Sequence, residues 1–346
     1  GAVWVYRRDG DSLELETMLQ PDSLVEGEAF GRFGELYGDL LFVSSLGFGG
    51  VGAVWVFERD GSGPFVERAT LQPESPAERE FFGWGLSYNG EKLIVGSFAG
   101  EAATGAAYIF SQDDTGNWFQ ETRLALPEGE SRPTDIGLPG SPGAGAIGVG
   151  WFQGMALLGL PGRDNMEGAV YTYTYRPLTG DWVRGTTLSA FDRRPYSFFG
   201  HRFHTTEDEL WISAPGTDFT GAIYRFTFDS DARTFGAAIK ITNTIDPADG
   251  DGFAGAVATA GDLAIVGQPG NDGGLGSAVV MRNEGGSWVS EARLLIPAEP
   301  GLPTLVGGEI ACGEGGKADQ FDCSRVDILS FLPTDAIGGG RGTRVN

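Results

Sequence analysis

One phrase recurs along this chain: GAVWVY at 1–6, GAVWVF at 52–57, GAAYIF at 105–110, GAVYTY at 168–173, GAIYRF at 221–226 and GSAVVM at 276–281. Successive copies are offset by 51, 53, 63, 53 and 55 residues. Self-similarity at that period restricts the fold to a propeller or a solenoid.

The residues around each phrase decide between these. A second segment follows it, ending in Leu or Ile: LELETML, FVERATL, WFQETRL, WVRGTTL, FGAAIKI and WVSEARL. Short turns such as Asp9-Gly10 and Asp60-Gly61 join the two, which is a hairpin signal. The recurrence of Trp118, Trp182 and Trp288 at one repeat position makes them packing residues.

Upstream, Phe30-Gly31, Phe82-Gly83, Phe199-Gly200 and Phe253-Ala254 are each followed eight positions later by a turn. A nearly continuous apolar run comes next, as in LLFVSS, LIVGS, LWISAPG and LAIVGQPG. Such runs fit strands covered on both faces. Four antiparallel strands per repeat, A to D, is the blade of a β-propeller.

The FG…GxP…GAVYVF pattern resembles the FG-GAP repeats of integrin α-subunit heads and of bacterial secreted proteins, over residues 1 to about 300. That resemblance implies an extracellular or surface-exposed binding role. It does not bring calcium with it, because no DxDxDG loop stands between Phe-Gly and the GAV phrase. Asp246, Asp249 and Asp251 precede Phe253 and read as an exposed acidic loop. The tail, Cys312 and Cys323 followed by RVDILSFLPTDAIGGGRGTRVN, resembles the opening segment of choice-of-anchor B surface proteins. That resemblance would make Asn346 an internal point of a longer precursor; a bespoke closing segment is the other reading.

Five repeats are complete, and residues 1–19 supply only strands C and D. A propeller avoids a free sheet edge by completing one blade from both chain ends. Six blades are therefore expected, with residues from about 303 onward meeting the N-terminus, and seven is the variant. The propeller should occupy 1–311, with a Cys-bounded closing segment or linker at 312–346.

Composition narrows the function. The formal charge of −23 argues against nucleic-acid and anionic-membrane partners, and Lys92, Lys240 and Lys317 are the only lysines. Cys312 and Cys323 flank the glycine-rich run 313–316 and read as a structural disulfide, hence an oxidising compartment, with two buried thiols as the alternative. An extracellular, cell-surface or periplasmic location is expected.

The D-to-A and B-to-C loops share one face and are long and variable, so binding residues are sought there. The candidates are Phe48, Phe98, Arg132, Asp135, Asp164, Asn165, Asp218, Phe219, Asn271 and Asp272. The partner would be a protein or glycan, or copies of the same chain. His201 and His204, the only histidines, sit at i and i+3 and so should point to opposite faces of a strand, which disfavours a shared metal. No GxSxG, HExxH, P-loop or paired CxxC occurs. The expectation is a binding or scaffold module without catalytic residues, metal or cofactor. The alternative is a carbohydrate-active or other hydrolytic propeller with carboxylates near its central channel.

Overall fold

The two middle strands of blades 1 to 4 are the most deeply buried, and the rest of the architecture follows from covering their two faces. In the computed structural model, residues 41–45 and 210–214 of the second strands are buried at consecutive positions, so both sides of each strand face protein. The structure describes residues 1–9, 12–61, 63–76, 80–97, 106–124, 148–295, 317–318 and 321–322.

A hairpin of β1 (Val3–Asp9) and β2 (Ser12–Leu19) opens the chain. Blade 1 is β3 (Phe30–Tyr37), β4 (Leu40–Ser45), β5 (Ala53–Glu58) and β6 (Val66–Leu71). Blade 2 is β7 (Phe82–Tyr88), β8 (Lys92–Ser97), β9 (Ala106–Gln112) and β10 (Trp118–Leu124). Blade 3 is β11 (Val149–Phe152), β12 (Met155–Leu160), β13 (Ala169–Arg176) and β14 (Asp181–Leu188). Blade 4 is β15 (Phe203–Thr205), β16 (Glu209–Ala214) and β17 (Ala222–Asp229), its outer strand split into β18 (Thr234–Phe235) and β19 (Ile239–Ile241). Blade 5 is β20 (Val257–Ala260), β21 (Leu263–Gln268), β22 (Ser277–Glu284) and β23 (Ser287–Leu295). Each sheet runs in sequence order with antiparallel neighbours.

The chain is a β-propeller of five four-stranded blades, not the six expected from the repeats. The reason lies in the hairpin. Among the described residues β1 pairs only with β2, so strands C and D of a further blade are present without A and B. Apolar residues pack between successive sheets, and Leu19, Val3 and Val5 join Phe30, Trp55 and Phe57 between the hairpin and blade 1. Blade 5 differs from the others: β21 alternates between buried Ala264 and Val266 and half-exposed Ile265, because the described residues cover one of its faces.

The recurring Phe-Gly and GAV residues form one clasp repeated from blade to blade. The Phe82 N–H donates to Val51 O at 2.8 Å, and the Phe253 N–H to Thr220 O at 2.8 Å, each joining a blade to its predecessor. The glycine that follows the acceptor, Gly52 or Gly221, has φ near +100° and lies against the same phenylalanine's backbone, where a Cβ would overlap the carbonyl oxygen. Within its own blade the phenylalanine ring meets two aromatics of the GAV phrase edge-on. The sets are Phe30 with Trp55 and Phe57, Phe82 with Tyr108 and Phe110, and Phe199 with Tyr224 and Phe226. Such pairs add stability beyond the area they bury.

The body of the molecule spans Gly1–Leu294 and a second unit spans Leu295–Asn346. In the second unit a short ladder pairs Lys317–Ala318 with Phe321–Asp322. The proposed Cys312–Cys323 disulfide lies outside the described residues.

Candidate functional site

The first strands β3, β7, β11 and β15 wall the propeller's central channel. Together with the residues just before β11 and β15 they line a cavity of about 350 Å³. That falls within the size range of small-molecule sites. Its aromatic wall comes from Phe33, Trp84 and Trp151, and its polar groups are Glu35, His201, Arg202 and His204. Trp151 is fixed by an Nε1–H bond to Ser87 O at 3.0 Å, and the Phe33 N–H donates to Ser44 Oγ at 3.0 Å.

Both histidines are among the residues that line this cavity, His201 on the bend before β15 and His204 within it, where its ring meets Thr259 of blade 5 and Trp211. Burial lowers the His201 pKa to about 4, with a further contribution from the Arg202 charge, so its ring is neutral at pH 7. Its Nδ1 is buried with no hydrogen-bond partner among the described residues. His204, also lowered by burial, has Nε2 2.8 Å from Thr259 Oγ1.

Glu35 is half-buried, and burial raises its carboxyl above the usual carboxylate range against a backbone hydrogen bond from Tyr88. Arg202 lines the cavity with an exposed side chain; the protein crowded around its guanidinium, and then the charge of Arg32, lower it below its ordinary value. A weak acid, two histidines and a cation thus stand among the lining of one aromatic-walled cavity, residue types suited to proton transfer beside a bound anion. Glu35 is the single carboxylate lining the cavity among the described residues, so the pair needed for glycoside hydrolysis is not present there.

A second cavity, of about 500 Å³, is lined by residues of blades 2 and 3, including Lys92, Glu121 and Tyr175. Burial disfavours the Glu121 charge, but hydrogen bonds from Lys92, Ser111 and Trp182 outweigh it and hold its pKa low. Its charged groups already satisfy one another.

The residues expected to bind lie mostly in the B-to-C loops, which in blades 1, 3, 4 and 5 each hold a single helical turn. Phe48 packs edge-on against Trp55 at 4.7 Å. Asp164 pairs with Arg163 at 3.3 Å, and Asn165 O accepts the Tyr196 N–H at 3.1 Å. Asp218 pairs with Lys240 at 2.6 Å and Arg194 at 3.2 Å, while Phe219 beside it is 72% exposed. The buried Asn271 amide donates to Asp251 Oδ1 at 2.7 Å, and Asp272 follows it in the turn Asn271–Gly274. The expectation of an exposed acidic loop at 246–251 fails at Asp251, whose carboxylate is buried and also accepts from Ala248 N at 2.8 Å and Gln268 Nε2 at 3.2 Å. Phe98, Arg132 and Asp135 lie outside the described residues.

None of the described loop candidates lines the channel cavity. Glu35 and Arg202 gave no sequence signal, because the repeats do not share a residue type at those inner-strand positions. The rarity of histidine was the one available pointer.

Solved structures match the fold. A 6-phosphogluconolactonase candidate from Bacteroides fragilis is similar at TM-score 0.56 and 11% identity, over 88% of this chain and 80% of that one. Another, from Bacteroides uniformis, is similar at TM-score 0.53 and 11% identity, over 78% of this chain and 72% of that one. At that identity the likeness is one of fold. No protein-family model matches the chain, and no curated protein matches it. The FG-GAP and choice-of-anchor B resemblances gain no support from these comparisons.

Proposed function

We propose that this propeller is a hydrolase whose active site is the central channel, acting on a small ester or lactone. The observation that carries the reading is the convergence of Glu35, His201, His204 and Arg202 on one cavity of about 350 Å³. Hydrolysis adds water to the carbonyl carbon and breaks its bond to the alkoxy oxygen. A neutral imidazole accepts the proton from water, and Glu35, whose carboxyl stays protonated to higher pH than an exposed one, delivers a proton to the departing oxygen. The two similar propellers described as 6-phosphogluconolactonase candidates agree with this chemistry. The test is turnover of a panel of δ-lactones and aryl esters by the purified chain. Activity is expected to fall on the order of 100-fold in Glu35→Gln. Absence of turnover across the panel, or an unaffected Glu35→Gln variant, would reject the reading.

A second reading, the FG-GAP-like binding module acting outside the cytoplasm, is favoured by exposed aromatics on the loop face. Phe191, Tyr196 and Phe219 are each more than half exposed, and Lys240 links their surroundings by pairing with Asp192 and Asp218. Single exposed aromatics are ordinary, but a cluster marks a contact surface. Retention of an extracellular protein or glycan on the immobilised chain, lost on changing Phe219, would favour this module.

A further inference from the structure

We propose that the channel binds an oxyanion, a carboxylate or phosphate group of its ligand, through the guanidinium groups of Arg202 and Arg32. The inference takes its location from the hydrolytic reading and names the substrate class of that site.

The argument starts from charge. The chain carries 47 acidic residues against 24 Lys and Arg, and many of its arginines take a carboxylate partner: Arg59 pairs with Asp39, Arg68 with Glu58, Arg225 with Glu209 and Arg282 with Asp262 and Glu291. Arg202 and Arg32 form no ion pair among the described residues.

These two cations also lie close to each other. Arg32 stands 5.5 Å and Arg202 5.8 Å from the centre of the same Phe33 ring, one from blade 1 and the other from blade 4. The charge of Arg32 disfavours that of Arg202, so the two exposed cations repel one another across the ring. The ring quadrupole offsets part of that repulsion. A bound oxyanion would offset the rest, and the planar guanidinium fork matches carboxylate and phosphate geometry.

Two guanidinium groups without carboxylate partners, both at the Phe33 ring of an aromatic-walled cavity, make up the donor set of an anion site.

The test is calorimetric titration of the purified chain at low ionic strength with inorganic phosphate, D-gluconate and neutral D-glucose. Wild type is expected to bind at least one of the two anions, and glucose at least tenfold more weakly. Arg202→Gln and Arg32→Gln should each weaken anion binding at least fivefold, while Arg68→Gln, whose partner is Glu58, should leave it unchanged. Circular dichroism checks that the variants fold. An anion-dependent rise in melting temperature, present in wild type and absent in Arg202→Gln, reports the same site without titration. Phosphate binding alone identifies a phosphorylated ligand, gluconate alone a sugar acid, and both a less selective oxyanion site. No anion binding by wild type, or binding unchanged in Arg202→Gln, overturns the inference. Turnover of neutral lactones without anion binding rejects this inference and leaves the hydrolytic reading; anion binding without turnover does the reverse.

Discussion

The Arg202 guanidinium of blade 4 lies 5.8 Å from the Phe33 ring of blade 1, joining blades that are not neighbours in the chain. A cation over an aromatic face in a walled space is stabilised by about 1 kcal/mol. In a double-mutant cycle of Phe33→Leu and Arg202→Gln, the coupling is expected to be about 0.5–1 kcal/mol, read from urea unfolding. Strict additivity would mean that the two side chains do not interact.

The clasp between blades makes a comparison of two glycines informative. Gly221 has φ +99° and a methyl group there would overlap the Phe253 backbone, whereas Gly261 has φ +62° and open space around it. Gly261→Ala should cost about 1 kcal/mol, the price of the left-handed conformation alone. Gly221→Ala adds a clash with backbone that cannot rotate away, and is expected to cost about 3 kcal/mol or more. Equal unfolding midpoints for the two variants would show that the clasp is not tight.

Those glycines were legible in the sequence because the same backbone constraint recurs at a fixed period, and with them came blade, strand order and shared loop face. The blade count was not legible. It turns on whether the hairpin of Val3–Asp9 and Ser12–Leu19 gains two further strands, which it does not among the described residues, and the repeat phrases carry no signal for that. The channel was hidden for a related reason. Phe33, Trp84 and Arg202 occupy inner-strand positions where each blade contributes something different, so a search for periodicity passes over them. Asn271 looked like a loop ligand because polarity alone does not distinguish an exposed amide from one buried against Asp251.

Acid should destabilise the fold partly through His201. Its folded pKa of about 4 lies below the ordinary 6.5 that the unfolded chain regains. Between those values the unfolded state holds more protons, so stability falls as pH drops through that window and is unaffected above it. The loss amounts to at most about 3 kcal/mol. His204 shifts in the same direction, so His201→Gln should reduce the slope of stability against pH between 6.5 and 4 without abolishing it. A slope identical to that of wild type would place the His201 ring in solvent.

Asp251 should matter more to stability than any exposed acid of its loop. Its carboxylate accepts hydrogen bonds from Ala248, Gln268 and Asn271 in a buried setting. Asp251→Ala leaves those donors unmet and is expected to cost about 3 kcal/mol. Asp249→Ala, at an exposed position, should stay within about 0.5 kcal/mol of wild type. Denaturant midpoints check both, and an Asp251→Ala variant as stable as Asp249→Ala would mean that water replaces the carboxylate at little cost.

The channel and loop-face readings separate cleanly at Phe219 and Glu35. Phe219 is 72% exposed at φ +64°, a conformation Asn adopts more readily than a bulky aromatic, so Phe219→Asn removes the ring without straining the backbone. Its stability should match or slightly exceed that of wild type. If function resides in the channel, Phe219→Asn keeps full lactone or ester turnover while Glu35→Gln loses on the order of 100-fold. If it resides on the loop face, the pattern inverts: Phe219→Asn loses partner retention, by about tenfold or more for a buried aromatic anchor, and Glu35→Gln binds as wild type does. Measuring turnover and retention on both variants assigns the function to one surface, because no contact in the structure links Phe219 to Glu35 and a change at one has no direct route to the other.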